Sequence, residues 1–394
     1  MRCTACSSTS ENQGRSIEDG LRKQTLTVQG GKDTARVTPV DSPALQPLVS
    51  IIIVAYAAGV HLPTCLSALQ QQLYAPIEIL VVDTTPDDPL LKTLRQEFPR
   101  VRFIVAPKNL GYAGGNNLGF VHARGEYLAI LNPDTEPERH WLQSLVTAAS
   151  LSPDPVVATS KILLFDHRER INTCGNTVHY TGRATCRGLG EDKGCYNQSE
   201  FVSAVSGAAF LIRRDLFGQL GGFDERFFMY LEDTDLSWRA ALVGVRCLFV
   251  PGSIVYHHYE TRVSPPKLFF LERNRHLMLL HNLRGTTLRL MVPALLLTEL
   301  VTWAFAALRG GAYVRAKLRA YAWIVRNRGL IKATRHRIQR QRVAGDAAIL
   351  QRFDYRLDMG QVSSPSVASI ARFVADGPFF LWLRLLLFLI RNDV

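Results

Sequence analysis

The feature that most constrains the fold is an alternation of short apolar runs with segments of helical spacing. The β-branched run VSIIIVA, Val49–Ala55, is typical of a strand buried on both faces of a parallel sheet. Leucines recur at helical spacing in the next segment, residues 61–73. Similar apolar runs follow at residues 77–82, 101–106, 127–131, 156–164, 201–213 and 245–251. This alternation predicts an α/β fold with a doubly wound, mixed but mostly parallel sheet.

The run Tyr127–Leu131 ends abruptly in the sequence Asn132-Pro133-Asp134-Thr135. A proline-containing turn after an apolar run predicts a buried strand that leads into a surface loop. Asp134 then lies just past the carboxyl end of a strand, where open α/β sheets bind ligands. Because Mg²⁺ prefers oxygen ligands, Asp134 is a candidate to hold a diphosphate through such a metal. The alternative is an ordinary turn, since these residue types are common in turns.

A glycine-rich segment, NLGYAGGNNLGF, occupies residues 109–120. It lacks the Gly-Lys-Ser/Thr ending of a P-loop, and it lacks the GxGxxG spacing of a dinucleotide-binding turn. We expect its glycines to permit a tight turn into a helix over residues 116–123. Asn116 and Asn117 would then either cap that helix or contact a ligand.

The segment GGFDERFFMYLEDTDLSWR, residues 221–239, places an aromatic wall before three acidic residues. If a helix begins near Asp233, then Asp235 and Arg239 are i,i+4 partners. That pairing leaves Asp233 facing a cleft beside Glu232. The alternative is an acidic first turn that the helix dipole favours without any further function.

Two histidines, His257 and His258, follow the last apolar run. A neutral imidazole can bind a metal, although such a pair is more often structural. A metal site requires the strand to end beside Asp134. The irregular segment 170–200 before this run is expected to form a lid or an excursion towards an acceptor.

The chain carries 46 Lys and Arg against 34 Asp and Glu, a net charge of +12 that suits an anionic partner. Residues 288–308 are apolar and long enough to span a bilayer, which needs about 20 residues. Pro293 and Glu299 interrupt them, and we expect an interfacial or re-entrant helix instead.

The basic segment 309–342 interleaves arginines with aromatic residues and suits anionic headgroups, while residues 379–390 are apolar but too short to span. We therefore predict a peripheral or monotopic protein on the cytoplasmic face of the membrane.

Residues 1–47 are rich in small polar and charged residues, which predicts a disordered tail. Cys3 and Cys6 form a CxxC pair, but no second pair stands at a zinc-like spacing, so the pair is interpreted as incidental. Scattered cysteines indicate a reducing compartment. The first residues lack an apolar core segment, and no signal peptide is expected.

Taken in order, these motifs resemble family 2 glycosyltransferases, the inverting enzymes of the GT-A fold. The resemblance is closest to the bacterial rhamnosyltransferase-like and galactofuranosyltransferase-like branch, and it covers residues 49–264. Four segments carry it: VSIIIVAY, VVD at residues 81–83, NLGYAGGNNLGF followed by LNPDT, and GGFDERFFMYLEDTDLSWR.

On the donor side, the resemblance implies that Tyr56 and Asp83 contact the nucleoside base. Asn116 and Asn117 belong to the segment that resembles the nucleotide loop. Asp134 would bind Mg²⁺ or Mn²⁺ together with the donor diphosphate.

His257 or His258 would complete the metal site. On the acceptor side, Asp233 would be the general base, and the acceptor would lie near Glu232, Trp238 and Arg239.

The implied function is sugar transfer from a nucleotide-sugar donor to a glycan or lipid-linked acceptor in bacterial cell-surface polysaccharide synthesis. The expected organisation is a tail at 1–47, a GT-A domain at 48–264 and a basic, helical, membrane-associating region at 265–394. A basic nucleic-acid-binding protein is one alternative, but apolar residues within the basic segment favour a membrane partner and no nucleic acid. A metal-dependent nucleotidyltransferase is another, but VAYAAG lacks a basic phosphate-contacting loop.

Overall fold

The computed structural model describes residues 46–56, 61–85, 89–358, 360–361 and 365–391. The predicted disorder of the tail and the interpretation of Cys3 and Cys6 concern residues that lie outside these ranges. From residue 47 onwards the chain forms one compact unit.

Seven strands begin within the predicted apolar runs, whereas the short strands at 135–137, 171–173, 176–178 and 184–186 were not predicted. In chain order they are β1 Val49–Ala55, β2 Ile77–Asp83, β3 Arg102–Val105, β4 Tyr127–Leu131, β5 Thr135–Pro137, β6 Val156–Leu164, β7 Ile171–Thr173, β8 Asn176–Val178, β9 Ala184–Cys186, β10 Glu200–Val202, β11 Ala209–Arg213 and β12 Arg246–His257.

The helices fall into two groups, one between the strands and one after them. Between the strands lie α1 Leu62–Gln70, α2 Pro89–Glu97, α3 Gly111–His122, α4 Trp141–Leu151, α5 Arg214–Gln219 and α6 Glu232–Leu242. After β12 come α7 Pro265–Asn282, α8 Gly285–Leu290, α9 Val292–Arg309, α10 Gly311–Arg326, α11 Arg328–Gln341, α12 Asp346–Leu350 and α13 Pro365–Leu389.

The central sheet has the order β10-β12-β6-β11-β4-β1-β2-β3. The pairs β1–β2, β1–β4, β2–β3 and β6–β12 are parallel, whereas β11 runs antiparallel to both of its neighbours. Strands β1 and β4 are buried along their whole length, as their continuous apolar sequences require. The prediction of a mixed, mostly parallel α/β sheet is therefore confirmed.

Strand β12 is longer than the predicted run because a bulge between Val250 and Ile254 lets it continue to His257. Its last residues pair with β5, and His257 lies opposite Thr135. This pairing brings the end of β12 beside the loop that follows β4.

The glycine-rich segment differs from the expectation. Only Gly111, with φ +67°, provides a turn, and the helix already begins there. Gly115 packs directly on β1, where an added Cβ would lie 2.6 Å from Val54 Cγ1. Since this helix must approach the sheet closely, its glycines serve packing as well as the turn. Asn116 and Asn117 lie inside α3, so the alternative that they cap its start is wrong.

The apolar segment 288–308 is not one continuous helix, because a turn at Met291 separates α8 from α9. Glu299 points into the protein, where it pairs with Arg275 and lies 2.8 Å from Lys317 Nζ. By length and composition, α9 is long and apolar enough to cross a membrane.

Residues 379–389 belong to the 25-residue helix α13, and Ile390 follows its end, so the stretch 379–390 does not form a separate short segment. One face of this stretch is buried in a hydrophobic core formed mainly by α6, α7 and the later helices, called the helical core below. Phe379, Leu383, Leu386 and Ile390 lie in it. The opposite face exposes Phe380, Leu381, Leu385 and Phe388.

Candidate active site

Asp134 and His257 meet at the carboxyl end of the sheet. Asp134 Oδ1 lies 3.4 Å from His257 Nε2, and the backbone N–H of His258 donates to the Asp134 carbonyl at 3.1 Å. Burial raises the pKa of Asp134, but the adjacent His257 ring more than offsets this effect, so the carboxyl group is ionised. The condition set by the sequence, that the last strand ends beside Asp134, is met.

The two histidines have different surroundings. His257 is buried, and its Nδ1 lies 2.9 Å from Asn172 Oδ1, which leaves Nε2 directed at Asp134. The His258 ring instead stacks between Phe165 and His61, with ring centroids 3.7 Å and 3.9 Å away. This arrangement favours His257 as the ligand, because its free nitrogen faces the carboxylate.

The Asp134 corner has the donor set of a divalent-cation site. Asp134 Oδ1 and Asn132 Oδ1 are buried oxygens without a hydrogen-bond partner among the described residues. Asn132 Nδ2 lies 3.4 Å from His257 Nε2, so the Asn132 side chain borders the same corner. Buried oxygens without partners are costly, and a bound cation would satisfy them.

Asp233 lies in the first turn of α6 and faces the same cavity. Its Oδ2 accepts from the Gly207 N–H at 2.7 Å and from Asn176 Nδ2 at 3.4 Å. Its Oδ1 accepts from the backbone N–H and hydroxyl of Thr234 at 2.6 Å and 3.1 Å. Burial raises the pKa of Asp233 despite these hydrogen bonds, which makes the carboxylate a stronger base.

Glu232 stands beside Asp233 and lines the same cavity. It is buried, and its Oε2 has no hydrogen-bond partner in the described part of the chain. Burial, followed by the negative charge of Asp233, raises its pKa well above the usual value. Of the two neighbouring acids, Glu232 is therefore the more readily protonated.

The loop before α6 is strained, since Phe228, Tyr230 and Leu231 all have positive φ. Helix α7 holds it in place: Asn274 Nδ2 contacts the carbonyls of residues 227, 229 and 230 at 3.0, 2.9 and 2.7 Å. Arg273 Nη2 donates to the carbonyls of residues 226 and 227. The position of Glu232 and Asp233 thus depends on a helix that the sequence analysis assigned to the next domain.

Trp238, Arg239 and Asp235 lie behind the cavity and are not among its lining residues. The predicted pair is present, with Arg239 Nε 2.7 Å from Asp235 Oδ2 and both side chains almost fully buried. Arg239 Nη1 also donates to the carbonyls of Leu220 and Gly222. Trp238 packs in the helical core against Phe353. Contact of Trp238 or Arg239 with an acceptor stays a prediction.

The donor-side residues lie around the edge of the sheet. Tyr56 follows β1 and is 62% exposed, while Asp83, at the end of β2, is buried and lies 3.5 Å from Arg95. Asn116 Nδ2 donates to the Tyr112 carbonyl, and Asn117 hydrogen-bonds both backbone groups of residue 223. None of these four residues lines the described cavity, so their contact with a donor stays a prediction.

A cavity of about 860 Å³ joins the Asp134 corner to the first turn of α6. Asp134, His257, Glu232 and Asp233 all line it. The irregular segment 170–200 contributes much of the wall, including Asn172, Asn176, Arg183 and Cys186. The sequence predicted only a lid or an excursion towards an acceptor for this segment, because no local pattern marks its individual side chains as ligands.

The chain was then compared with known proteins. Residues 50–221 match Glycosyl transferase family 2. The chain is 28% identical over 235 residues to the N-acetylglucosaminyl-diphospho-decaprenol L-rhamnosyltransferase of Mycobacterium tuberculosis, covering 54% of this chain and 76% of the relative. It is 29% identical to the O-antigen biosynthesis protein RfbC of Myxococcus xanthus, over 49% of this chain and 16% of that one.

A solved structure, the mannosyltransferase PcManGT from Pyrobaculum calidifontis in complex with GDP-Man and Mn²⁺, aligns over 88% of this chain and 86% of its own length. The identity is 16% and the TM-score is 0.43, a likeness that says nothing about the ligands of this chain. The family match and the relatives agree with the order of motifs along the mixed α/β sheet. Residues 50–221 of the chain are therefore similar to Glycosyl transferase family 2, and the chain resembles an L-rhamnosyltransferase over 235 residues.

Proposed function

We propose that the protein transfers a sugar from a nucleotide-sugar donor to a hydroxyl group of a lipid-linked glycan acceptor, in the synthesis of a bacterial cell-surface polysaccharide. The observation that carries the proposal is that the Asp134–His257 pair and the Asp233 carboxylate face one cavity. The acceptor class is supported by the name of the M. tuberculosis relative, which specifies a diphospho-decaprenol.

The donor diphosphate would bind at the Asp134 end of the cavity. Asp134 and His257 would hold Mg²⁺ or Mn²⁺, with Asn132 beside them, and the free buried oxygens of this corner fit such an ion. When bound, the cation would neutralise negative charge on the departing nucleoside diphosphate. Asn172 would fix the His257 ring so that Nε2 is the coordinating atom.

Asp233 would act as the general base that removes the proton of the attacking hydroxyl group. The Gly207 N–H and Thr234 fix the orientation of its carboxylate. The longest of its contacts, 3.4 Å from Asn176, is the one that an acceptor hydroxyl would replace. Glu232, kept protonated by burial, would donate a hydrogen bond to the acceptor.

The nucleoside would extend towards the ends of β1 and β2. These strands are neighbours, with Ala55 opposite Asp83. Tyr56, the residue after β1, and Asp83, the last residue of β2, therefore lie at neighbouring strand ends. The exposed Tyr56 ring would stack on the base, and Asp83 would accept a hydrogen bond from it.

We further propose that the protein is peripheral or monotopic on the cytoplasmic face of the membrane. Helix α9 exposes Val292, Leu296, Leu300 and Leu308, and α13 exposes a second row of apolar side chains. The arginine-rich helices α10 and α11 follow in the same compact unit and suit anionic headgroups.

A donor screen with the full-length protein tests the function. Nucleoside diphosphate release is followed with several nucleotide sugars, with Mn²⁺ or Mg²⁺ and with a lipid-linked glycan acceptor. Asp134→Ala should abolish transfer and weaken metal-dependent nucleotide binding, whereas Asp154→Ala, an exposed acid outside the cavity, should change neither. Wild-type turnover by Asp134→Ala in the presence of a chelator would remove Asp134 from the site.

A further inference from the structure

The cavity has lining residues that the proposed transfer reaction does not yet use. They include three basic side chains, Arg183, Lys267 and Arg275, which we call the basic zone, and Thr302 and Phe305 of helix α9. The proposed base, the basic zone and the helix with the exposed apolar face therefore border one cavity.

Lys267 lies in the first turn of α7 with its ammonium group in this zone. Its Nζ donates to the Glu260 carbonyl at 3.2 Å and lies 5.3 Å and 6.0 Å from the rings of Tyr230 and Tyr259. Among the described residues it makes no ion pair. A partly buried cation whose neighbours are aromatic rings and a carbonyl is suited to binding an anionic ligand.

Arg183 follows the turn between β8 and β9. Its one ion pair in the described part of the chain is a long contact of 3.9 Å to Glu272, and its buried Nε has no hydrogen-bond partner there. Glu272 also pairs with Arg275 and Lys317. Glu299 is the second carboxylate within ion-pair distance, so Arg183, Arg275 and Lys317 share two carboxylates there, and Asp358 adds a more distant negative charge.

The basic zone lies close to the catalytic carboxylate. The thiol of Cys186 is influenced by both groups: its pKa is raised to about 11 by burial first, then further by Asp233, while Tyr259 and Lys267 act in the opposite direction. Asp233, Cys186 and Lys267 also line the same cavity.

We propose that Lys267 and Arg183 bind the diphosphate of a lipid-linked acceptor. The acceptor sugar would then lie towards Asp233, and its hydrocarbon chain would leave along Phe305 and α9. Lysine suits a phosphate as a point charge, and the arginine fork can bind two phosphate oxygens at once. This assignment rests on the proposed function, in which the acceptor is lipid-linked.

Binding of decyl diphosphate to the full chain, measured by calorimetry with EDTA present, tests the subsite without any sugar transfer. Inorganic pyrophosphate and decyl glucoside are titrated in parallel, so that the phosphate and the hydrocarbon are assessed separately. We expect decyl diphosphate to bind most tightly. Lys267→Ala should weaken its binding by about tenfold to a hundredfold, the usual effect of losing a charge-assisted hydrogen bond, and Lys267→Arg should restore most of it.

Two controls separate this site from the donor site and from the general charge of the protein. Asp134→Ala should still bind decyl diphosphate, and Lys92→Ala, an exposed lysine on α2, should bind it normally. Arg183→Gln should weaken binding as Lys267→Ala does; if it unfolds the protein, the Lys267 series decides. Equal binding by wild type and Lys267→Ala, or pyrophosphate binding as tightly as decyl diphosphate, would overturn the assignment. Failure of the proposed function would show separately, as absent transfer in the donor screen.

Discussion

Replacing aspartate by asparagine should have different effects at two positions of helix α6: it should lower turnover at Asp233 and folding stability at Asp235. Asp233→Asn should remove the base, so that turnover falls by on the order of 10²–10⁴-fold. Its stability cost should be modest, because the amide oxygen can still accept from Gly207 or Thr234. The amide nitrogen then faces the other of these two donors, which is left without an acceptor, and this costs about 1–3 kcal/mol of folding free energy.

Asp235→Asn should damage the fold more than the chemistry. Asp235 is fully buried, pairs with Arg239 and accepts from Asn282 Nδ2 at 2.8 Å. Removing its charge leaves the Arg239 guanidinium without a counter-ion in the interior. Breaking a buried pair in this way costs about 3–5 kcal/mol of folding free energy.

The two variants are compared in three measurements: turnover by nucleoside diphosphate release, donor affinity by calorimetry, and free energy of unfolding in urea. Donor affinity should survive Asp233→Asn, because the proposed donor contacts lie elsewhere. The pH dependence gives a further check. Since burial raises the pKa of Asp233, wild-type turnover should fall on acidification at a higher pH than an exposed aspartate, with a pKa of about 3.9, would give. The fall of turnover on acidification should be absent in Asp233→Asn.

Near-normal turnover by Asp233→Asn, together with a well-folded but inactive Asp235→Asn, would move the base to Asp235. Near-normal turnover by Asp233→Asn with an inactive Glu232→Gln would move it to Glu232. The latter variant is informative because a protonated Glu232 is closely imitated by glutamine, and we expect it to keep most of the activity.

Three further predictions concern the metal and the membrane. His257→Ala should weaken Mn²⁺-dependent nucleotide binding far more than His258→Ala, measured by calorimetry; equal losses would contradict the assignment of His257. Asn172→Ala should weaken the same binding by about 10–100-fold through the orientation of the ring, and an unchanged affinity would refute this role. Leu296→Glu should lower binding to anionic vesicles by about tenfold to a hundredfold, as loss of one buried leucine implies, whereas Leu151→Glu, at an exposed position at the end of α4, should leave it unchanged.

The sheet could be predicted well from the sequence, because its central strands have few alternatives. A β-branched run such as Val49–Ala55 can bury both faces only in the middle of a sheet. The start of α3 could not, since glycines have low helix propensity and the helix was predicted only from residue 116 instead of Gly111. Its glycines are explained by contacts distant in sequence, such as that of Gly115 with Val54.

The chemistry of the candidate site was predicted less completely, for a related reason. Asp134 could be predicted from its own turn, but its proximity to His257 depends on the bulge that extends β12 and on pairing with β5. No local pattern marks Asn172, which orients the ring. Lys267 likewise has no sequence signal, because its importance comes from the cavity into which α7 places it.

The contacts of helix α7 make a C-terminal truncation unsuitable as a test of membrane association. Removal of everything after Gly285 would delete Glu299 and Lys317, which are charge partners of Arg275 and Glu272 on α7. Arg275 and Glu272, both almost fully buried, would each lose an ion-pair partner and would keep only the long 3.4 Å pair with one another and the contact of Glu272 with Arg183. The same helix holds the strained loop before Asp233, so such a truncation would disturb the catalytic site together with any membrane contact. A truncated protein that fails to bind vesicles would therefore say little about the membrane. Substitutions on the exposed face of α9, such as Leu296→Glu, leave this charge network intact and separate the two effects.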